Sequence, residues 1–156
     1  MVEIRRAIEA DMDGVKEIYE KAFYEYEGIL MYYPKFTEYV MNCIKHDLSY
    51  VAISEGVLCG MIFGYEVPDI ECGETVHIEI FAVLPNYQKM GIGTALMKRL
   101  KESAKEKGYM ELSLRTACYL DAYEIYKKFG FRDMRSDRRF MVMKIQQEVN
   151  KEQVNG

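Results

Sequence analysis

Gln88, Lys89, Gly91 and Gly93 stand where an apolar strand ending at Val83-Leu84-Pro85 gives way to a helix opening on Ile92 and Thr94. Residue types at this spacing can hold a phosphate. The first-turn N–H groups of a helix lack internal partners and carry roughly half a positive charge, and glycine lets an anion approach the backbone. Lys89 adds a full charge beside them. Two familiar phosphate loops do not fit. A P-loop needs Gly-Lys-Ser/Thr after four intervening residues, and no such string is present. A dinucleotide fingerprint needs a third glycine where Leu96 stands, and the acidic residue about twenty positions on, Glu111, opens the next strand instead of closing it.

The string Gln88-x-x-Gly91-x-Gly93 resembles the acyl-CoA-binding loop of the GNAT superfamily of N-acetyltransferases, written Arg/Gln-x-x-Gly-x-Gly/Ala. Farther on, Ala122-Tyr123-Glu124-Ile125-Tyr126 followed by Gly130-Phe131 resembles the same family's later helix. The opening Ile4-Arg5-Arg6-Ala7, with Asp11 and a helix after it, extends the likeness over most of residues 2 to 145. The resemblance implies an α/β, GNAT-like fold: a mixed, mostly antiparallel central sheet flanked by helices, in a single domain of residues 1–146 with a polar tail at 147–156. It also implies acetyl-CoA as acyl donor, no metal, and direct attack of a primary amine on the thioester in a ternary complex. By the same likeness the donor lies along Phe81, Ala82 and Val83, with the Val83 N–H meeting the thioester carbonyl, and along Gln88, Lys89, Met90, Gly91, Ile92, Gly93 and Thr94. Tyr119 stands where many members carry Asn, and Gln88 replaces the commoner Arg, so Lys89 and the backbone must offset the pyrophosphate charge.

The chemistry then defines what side chains are needed. Deprotonating an alkyl amine of pKa about 10.4 at pH 7 costs about 4.6 kcal/mol, so a base is required. Glu79 is the candidate, because it lies on the strand leading to the loop, where many family members carry Glu. His77, on the same strand face, is the second choice. Tyr126 matches the family tyrosine that faces the cofactor sulfur. A phenol near pKa 10 protonates a thiolate near 8.5 only at a cost of about 2 kcal/mol, so hydrogen bonding the departing sulfur is the expected role. Tyr123, off the apolar stripe, is its internal control. The acceptor reads as a small cationic amine. Alternatives are a protein N-terminus or lysine, or a non-catalytic acyl-CoA sensor, which would need neither Tyr126 nor Glu79.

With 156 residues, 49% of them hydrophobic, the chain can bury a substantial core. A net charge of −4 argues against general nucleic-acid binding. Its distribution is uneven: Glu66, Asp69, Glu71, Glu74 and Glu79 form a run without Lys or Arg, while basic residues outnumber acidic ones from Lys127 to Lys144. With Glu25 and Glu27, the acidic run suggests a mouth for a cationic acceptor. No apolar run is long enough to span a membrane, which predicts a cytoplasmic protein. Cys43, Cys59, Cys72 and Cys118 form no C-x-x-C pair and read as reduced, mostly buried thiols. An exposed edge strand would let two copies pair as a homodimer.

Periodicity places the elements that carry these residues. Val2 to Arg6 reads as a strand, and Asp11 as the N-cap of a helix with Val15, Ile18, Tyr19 and Ala22 on one face. Tyr24 to Tyr33 is irregular, and a second helix runs from Phe36 to about His46. Tyr50–Ile53 and Val57–Tyr65 form a hairpin across Ser54-Glu55-Gly56. Pro68–Gly73 connects to a strand from about Thr75 to Val83, which puts Val76, Ile78, Ile80 and Ala82 on one side and His77, Glu79, Phe81 and Val83 on the other. The long helix carries Ile92, Leu96, Leu100 and Ala104 on one face and stops near Gly108. Met110–Arg115 reads as a strand and Asp121–Phe129 as a helix burying Ala122, Ile125, Tyr126 and Phe129. Closing strands at Phe131 and Phe140–Ile145 flank an Arg135–Arg138 turn, and the tail from Gln146 frays.

Overall fold

The computed structural model describes residues 1–24, 33–69, 73–134, 141 and 143–145. These carry β1 (Val2–Arg6), α1 (Met12–Tyr19), α2 (Tyr33–Lys45), β2 (Ser49–Ser54), β3 (Val57–Asp69), β4 (Gly73–Val83), α3 (Ile92–Glu106), β5 (Glu111–Leu114) and α4 (Asp121–Phe129). The chain divides into two compact units, Met1–Thr116 and Ala117–Gly156. In the first, five strands lie in sequence order, antiparallel except for the β4–β5 pair. This mixed, mostly antiparallel sheet is the architecture expected. Parallel pairing of β4 with β5 needs a crossover, and α3 supplies it.

The sheet and its helices share one core. Val51, Met61, Ile62, Phe63 and Val76 are fully buried, and Leu96 and Leu100 of α3 meet them from one side while Val15, Ile18 and Val40 come from α1 and α2. Of the polar groups inside this packing, Tyr50 of β2 hydrogen-bonds Ser103 of α3, with the Arg99 guanidinium 5.4 Å from the Tyr50 ring centroid, while the buried Thr75 hydroxyl has no hydrogen-bond partner among the described residues. Gly60 lets α3 approach β3, since a Cβ there would lie 3.1 Å from Ile92 Cγ2 and 3.1 Å from Leu96 Cδ1.

Several expectations are corrected. Asp11 precedes α1, yet its side chain caps nothing there. The carboxylate is taken by a bidentate pair with Arg5 (2.9 and 2.8 Å) and by the Ile8 N–H (2.9 Å). Burial pushes its pKa up, but these donors outweigh burial and leave the carboxyl below its ordinary value. The first helix gives way to a π turn at Glu20–Tyr24, so Ala22 lies outside the regular helix. β3 and β4 run on through the expected Pro68–Gly73 connection to Asp69 and Gly73. Pro68 is tolerated because β2 pairs with β3 only as far as Phe63, so the proline's missing N–H faces no neighbouring strand on that side.

The second unit is sparser. None of the residues of α4 is buried, and Ile125, expected on a buried stripe, is 48% exposed. Residues 131–134, 141 and 143–145 belong to no strand, which removes the closing strand at Phe131 and the described part of the one at 140–145. Phe140, the Arg135–Arg138 turn and the tail from Gln146 fall outside the described residues. So does most of the Tyr24–Tyr33 stretch, with Glu25 and Glu27. Cys43 and Cys59 are buried as expected, but Cys118, in the turn before α4, is exposed.

Candidate active site

β4 carries the chemistry on its less buried residues, but not on the single face expected from alternation. Val76, Ile78, Ile80 and Ala82 are buried, while the bulge at Glu79 reverses the alternation, so His77 and Glu79 turn toward Tyr65 and Tyr39 and Phe81 and Val83 turn toward α3. β5 pairs with β4 only from Thr75↔Glu111 to Ile78↔Leu114, so Glu79–Val83 have a strand neighbour on the β3 side alone among the described residues. The sheet therefore opens beside the segment expected to hold the thioester. A bulge between Phe63 and Gly64 also leaves Glu79 without a register partner and sets Tyr65 opposite His77.

Tyr39, Tyr65, His77, Ile78, Glu79 and Arg115 line a cleft of about 360 Å³. Tyr39 and Tyr65 meet edge to face with ring centroids 6.1 Å apart, and Tyr65 lies 5.6 Å from the His77 ring. His77 is held at both nitrogens, with Nδ1 2.9 Å from Ser113 Oγ and Nε2 3.4 Å from Glu79 Oε2. Hydrogen bonding from His77 holds the Glu79 carboxyl below its ordinary value against the upward push of burial, helped by Tyr39 and by the charge of Arg115. Glu79 is therefore an anion at neutral pH, beside two aromatic rings able to attract a cation. Burial first, then Tyr65 and Glu79, raise the Tyr39 phenol well above its ordinary value and keep it neutral. The same order of causes, burial and then Glu79, pushes the nearby Cys43 thiol up to about 12, which suits a structural thiol and not a nucleophile.

The second part of the site is the loop from Gln88, nine residues past Glu79. Lys89 and Gly91 take left-handed conformations (φ 62° and 83°), and Gly91 is the N-cap of α3 without any side-chain cap. The turn thus points the first N–H groups of α3 outward, and nothing lies within 4 Å of where a Gly91 Cβ would stand. Gly93 serves packing instead: a Cβ there would come within 3.3 Å of Phe81 Cζ, so glycine lets the helix start close against β4. The side chains of Ala82 and Ile92 are buried, which leaves only their backbone groups for a ligand. Met90 is exposed. Gln88, expected at the pyrophosphate, donates from Nε2 to the Val83 carbonyl at 3.1 Å and ties the loop to the end of β4.

In the second unit, Tyr126 of α4 packs edge to face on Phe131 at 5.9 Å. Tyr123 donates its hydroxyl to Asp133 at 2.8 Å, with the Lys127 ammonium 4.2 Å from its ring centroid. Tyr119 is 85% exposed.

A helix start without a side-chain cap beside an opened strand, with a carboxylate cleft earlier on that strand, has the geometry to receive two substrates. The Acetyltransferase (GNAT) family model matches residues 12–131. The chain belongs to the GNAT acetyltransferase family. It is 33% identical to an N-alpha-acetyltransferase of Sulfurisphaera tokodaii over 97 residues, 52% of this chain and 56% of that protein, so it spans little more than half of that relative's length. An N-alpha-acetyltransferase of Sulfolobus acidocaldarius is 29% identical over 147 residues, 85% of this chain and 81% of that one. Among solved structures, the PaiA N-acetyltransferase of Thermoplasma acidophilum in complex with coenzyme A shares the fold, with a TM-score of 0.75 at 21% identity over 88% of this chain and 93% of that one.

A GNAT acetyltransferase draws its acyl group from acetyl-CoA, and the residues present suit that donor. The uncapped N-terminus of α3 and the open space at Gly91 suit a pyrophosphate, and the edge of β4 beyond Ile78, which pairs with no further strand among the described residues, suits an extended arm. Among the described residues, no three His, Cys, Asp or Glu side chains cluster as metal ligands, and no helix is long and apolar enough to cross a membrane. Among the described residues of the acidic run, only Glu79 lines the cleft. Glu66 pairs with the Tyr109 hydroxyl at 3.3 Å, Glu74 lies near the far end of β4, and Glu71 is outside the described residues. Sequence reasoning missed Tyr39, Tyr65, Ser113 and Arg115 as site residues. Tyr39 looked like one more member of an apolar helix face, and the other three sit on strands or strand ends whose register no local pattern reveals.

Proposed function

We propose that this GNAT protein acetylates a small cationic amine, which docks as its ammonium in the Tyr39–Tyr65–His77–Glu79 cleft. The observation that carries the reading is the ionised Glu79 carboxylate between aromatic rings, on the strand that runs into the donor loop. Glu79 holds the ammonium and relays its proton to water. The α3 N-terminus with Lys89 binds the pyrophosphate, the Val83 N–H meets the thioester carbonyl, and Tyr126 hydrogen-bonds the departing sulfur. Each of these roles belongs to the proposal, supported by family membership and by the geometry of the first unit.

A second reading, acetylation of a peptide N-terminus, draws support from the names of the two relatives. An α-amine near pKa 8 costs only about 1 kcal/mol to deprotonate at pH 7, against about 4.6 for an alkyl amine, so it asks less of the base. A thiol-release screen with acetyl-CoA, setting polyamines and amino sugars against short peptides and acetylated or anionic controls, separates the two. We expect turnover of the small cations, with KM rising as salt screens Glu79. Fastest turnover of free peptide N-termini would replace the first reading with the second, and no amine-dependent thiol release would defeat both.

Tyr126→Phe should lower kcat roughly 10²-fold while leaving acetyl-CoA affinity and melting temperature near those of the parent. Tyr123 is a suitable control because its hydroxyl is already committed to Asp133. Equal losses of rate in Tyr126→Phe and Tyr123→Phe would reassign Tyr126 to packing.

A further inference from the structure

We propose that Ser113 is a positioning residue which, through His77, fixes and orients the carboxylate of Glu79. The inference rests on the assignment of Glu79 to the acceptor cleft, and adds what holds that group in place. β5 enters the sheet parallel to β4 with Ser113 in register opposite His77. The two side chains meet at 2.9 Å between Oγ and Nδ1, and the far nitrogen of the ring reaches Glu79 Oε2 at 3.4 Å. A hydroxyl, an imidazole and a carboxylate thus form a line across two strands, from within the β4–β5 pair to the cleft. The Tyr65 ring packs on the imidazole, whose side chain is 13% exposed against 38% for Glu79.

The hydroxyl and the accept-only Glu79 carboxylate together favour one protonation of the ring. When Ser113 donates to Nδ1, the proton of a neutral imidazole must sit on Nε2, where it points at Glu79. Without the hydroxyl, the Nδ1–H form becomes accessible, and that form turns a lone pair toward the carboxylate. A serine hydroxyl can also rotate to accept from Nδ1–H, so it supports the imidazolium as well. Alanine does neither, whereas threonine retains the group. The other groups around the pair are the Tyr39 phenol and Cys43 thiol from α2, Tyr65 from β3, and Arg115 just beyond β5. Tyr39 and Arg115 also favour the Glu79 anion, so loss of Ser113 should weaken its stabilisation without abolishing it.

The test uses the ligand-free protein. The chain has two histidines, His46 and His77, so the imidazole signals are assigned with one His46→Gln variant. Long-range ¹H–¹⁵N spectra should report the Nε2–H form of His77 in the parent and in Ser113→Thr, and a mixture of both neutral forms in Ser113→Ala. The Glu79 carboxyl, followed by ¹³C, should titrate at a higher pH in Ser113→Ala than in the parent. In thiol-release assays with the best amine of the screen, Ser113→Ala should lose kcat roughly tenfold with KM for acetyl-CoA unchanged, and Ser113→Thr should recover it. If His77 keeps a single tautomer and Glu79 the same midpoint in a folded Ser113→Ala, the proposal is overturned even where Glu79→Gln is inactive. A Glu79→Gln variant as active as the parent would instead remove the assignment of Glu79 while leaving the tautomer result to judge the Ser113–His77 contact. Matching spectra with an active Glu79→Gln would sink both ideas.

Discussion

Gly91→Asp should bind coenzyme A at least 100-fold more weakly than the parent while remaining as stable. The empty space around the Gly91 position means that no protein atom opposes an added side chain. Backbone strain at φ 83° costs something, but aspartate is among the side chains that tolerate the left-handed region best. As an N-cap it also gains, because its carboxylate can accept from the N–H groups that α3 leaves without a side-chain cap, worth about 1 kcal/mol. The same contact excludes the ligand: those donors would be occupied, and a fixed negative charge would stand where the pyrophosphate binds. A 100-fold loss corresponds to about 2.8 kcal/mol. Calorimetric titration with coenzyme A, alongside thermal melting, measures both sides. Gly91→Ala separates the causes, since it brings the strain without the charge and should bind better than the aspartate variant. Parent-like affinity in folded Gly91→Asp would move the phosphate site elsewhere.

Glu79→Gln should lower kcat/KM for the acceptor roughly 10²- to 10³-fold while leaving coenzyme A affinity unchanged. Glutamine keeps the shape and can still accept a hydrogen bond, but it carries no charge and takes no proton at neutral pH. The two losses combine, since a docking charge and a base disappear together. The pH dependence has a definite sign. Because the folded pKa of Glu79 is depressed, its carboxylate persists through neutral pH and is lost only as pH falls through a value below the ordinary carboxylate range. Any change in rate between pH 6 and 9 therefore tracks the amine, whose neutral fraction rises tenfold per unit below its own pKa. Steady-state kinetics across that range should show a rising limb in the parent and in the Gln variant alike. A bell whose acidic limb near pH 6 to 7 vanishes in Glu79→Gln would contradict the depressed carboxylate.

How far these assignments were legible from the sequence depends on how local their causes are. The bulge that sends His77 and Glu79 to one face of β4 and Phe81 and Val83 to the other was not legible, but the alternating burial of Val76, Ile78, Ile80 and Ala82 was, because alternation is local. The Gln88–Gly93 turn was legible for the same reason: glycines at the start of an amphipathic helix commit the backbone within a few residues. The stripe Ile92, Leu96, Leu100 and Ala104 likewise fixed the packed face of α3.

What the sequence did not reveal is everything that depends on which residues from distant segments meet. Asp11 reads as a helix cap by position, yet Arg5 on a neighbouring strand claims its carboxylate with two hydrogen bonds. The acidic run reads as one continuous mouth, yet strand extension carries Glu74 to the far end of β4 and, among its described residues, only Glu79 lines the cleft. The expected stripe of α4 is not buried, because an amphipathic pattern specifies a face without supplying the surface that covers it. At the site itself, the bulge at Phe63/Gly64 and the parallel entry of β5 bring Tyr65 and Ser113 to His77 from 12 and 36 positions away. Residue types and periodicity determined the chemistry and the strand that bears it. Strand register, which is a cooperative property of the whole sheet, decided the partners that orient His77 and Glu79.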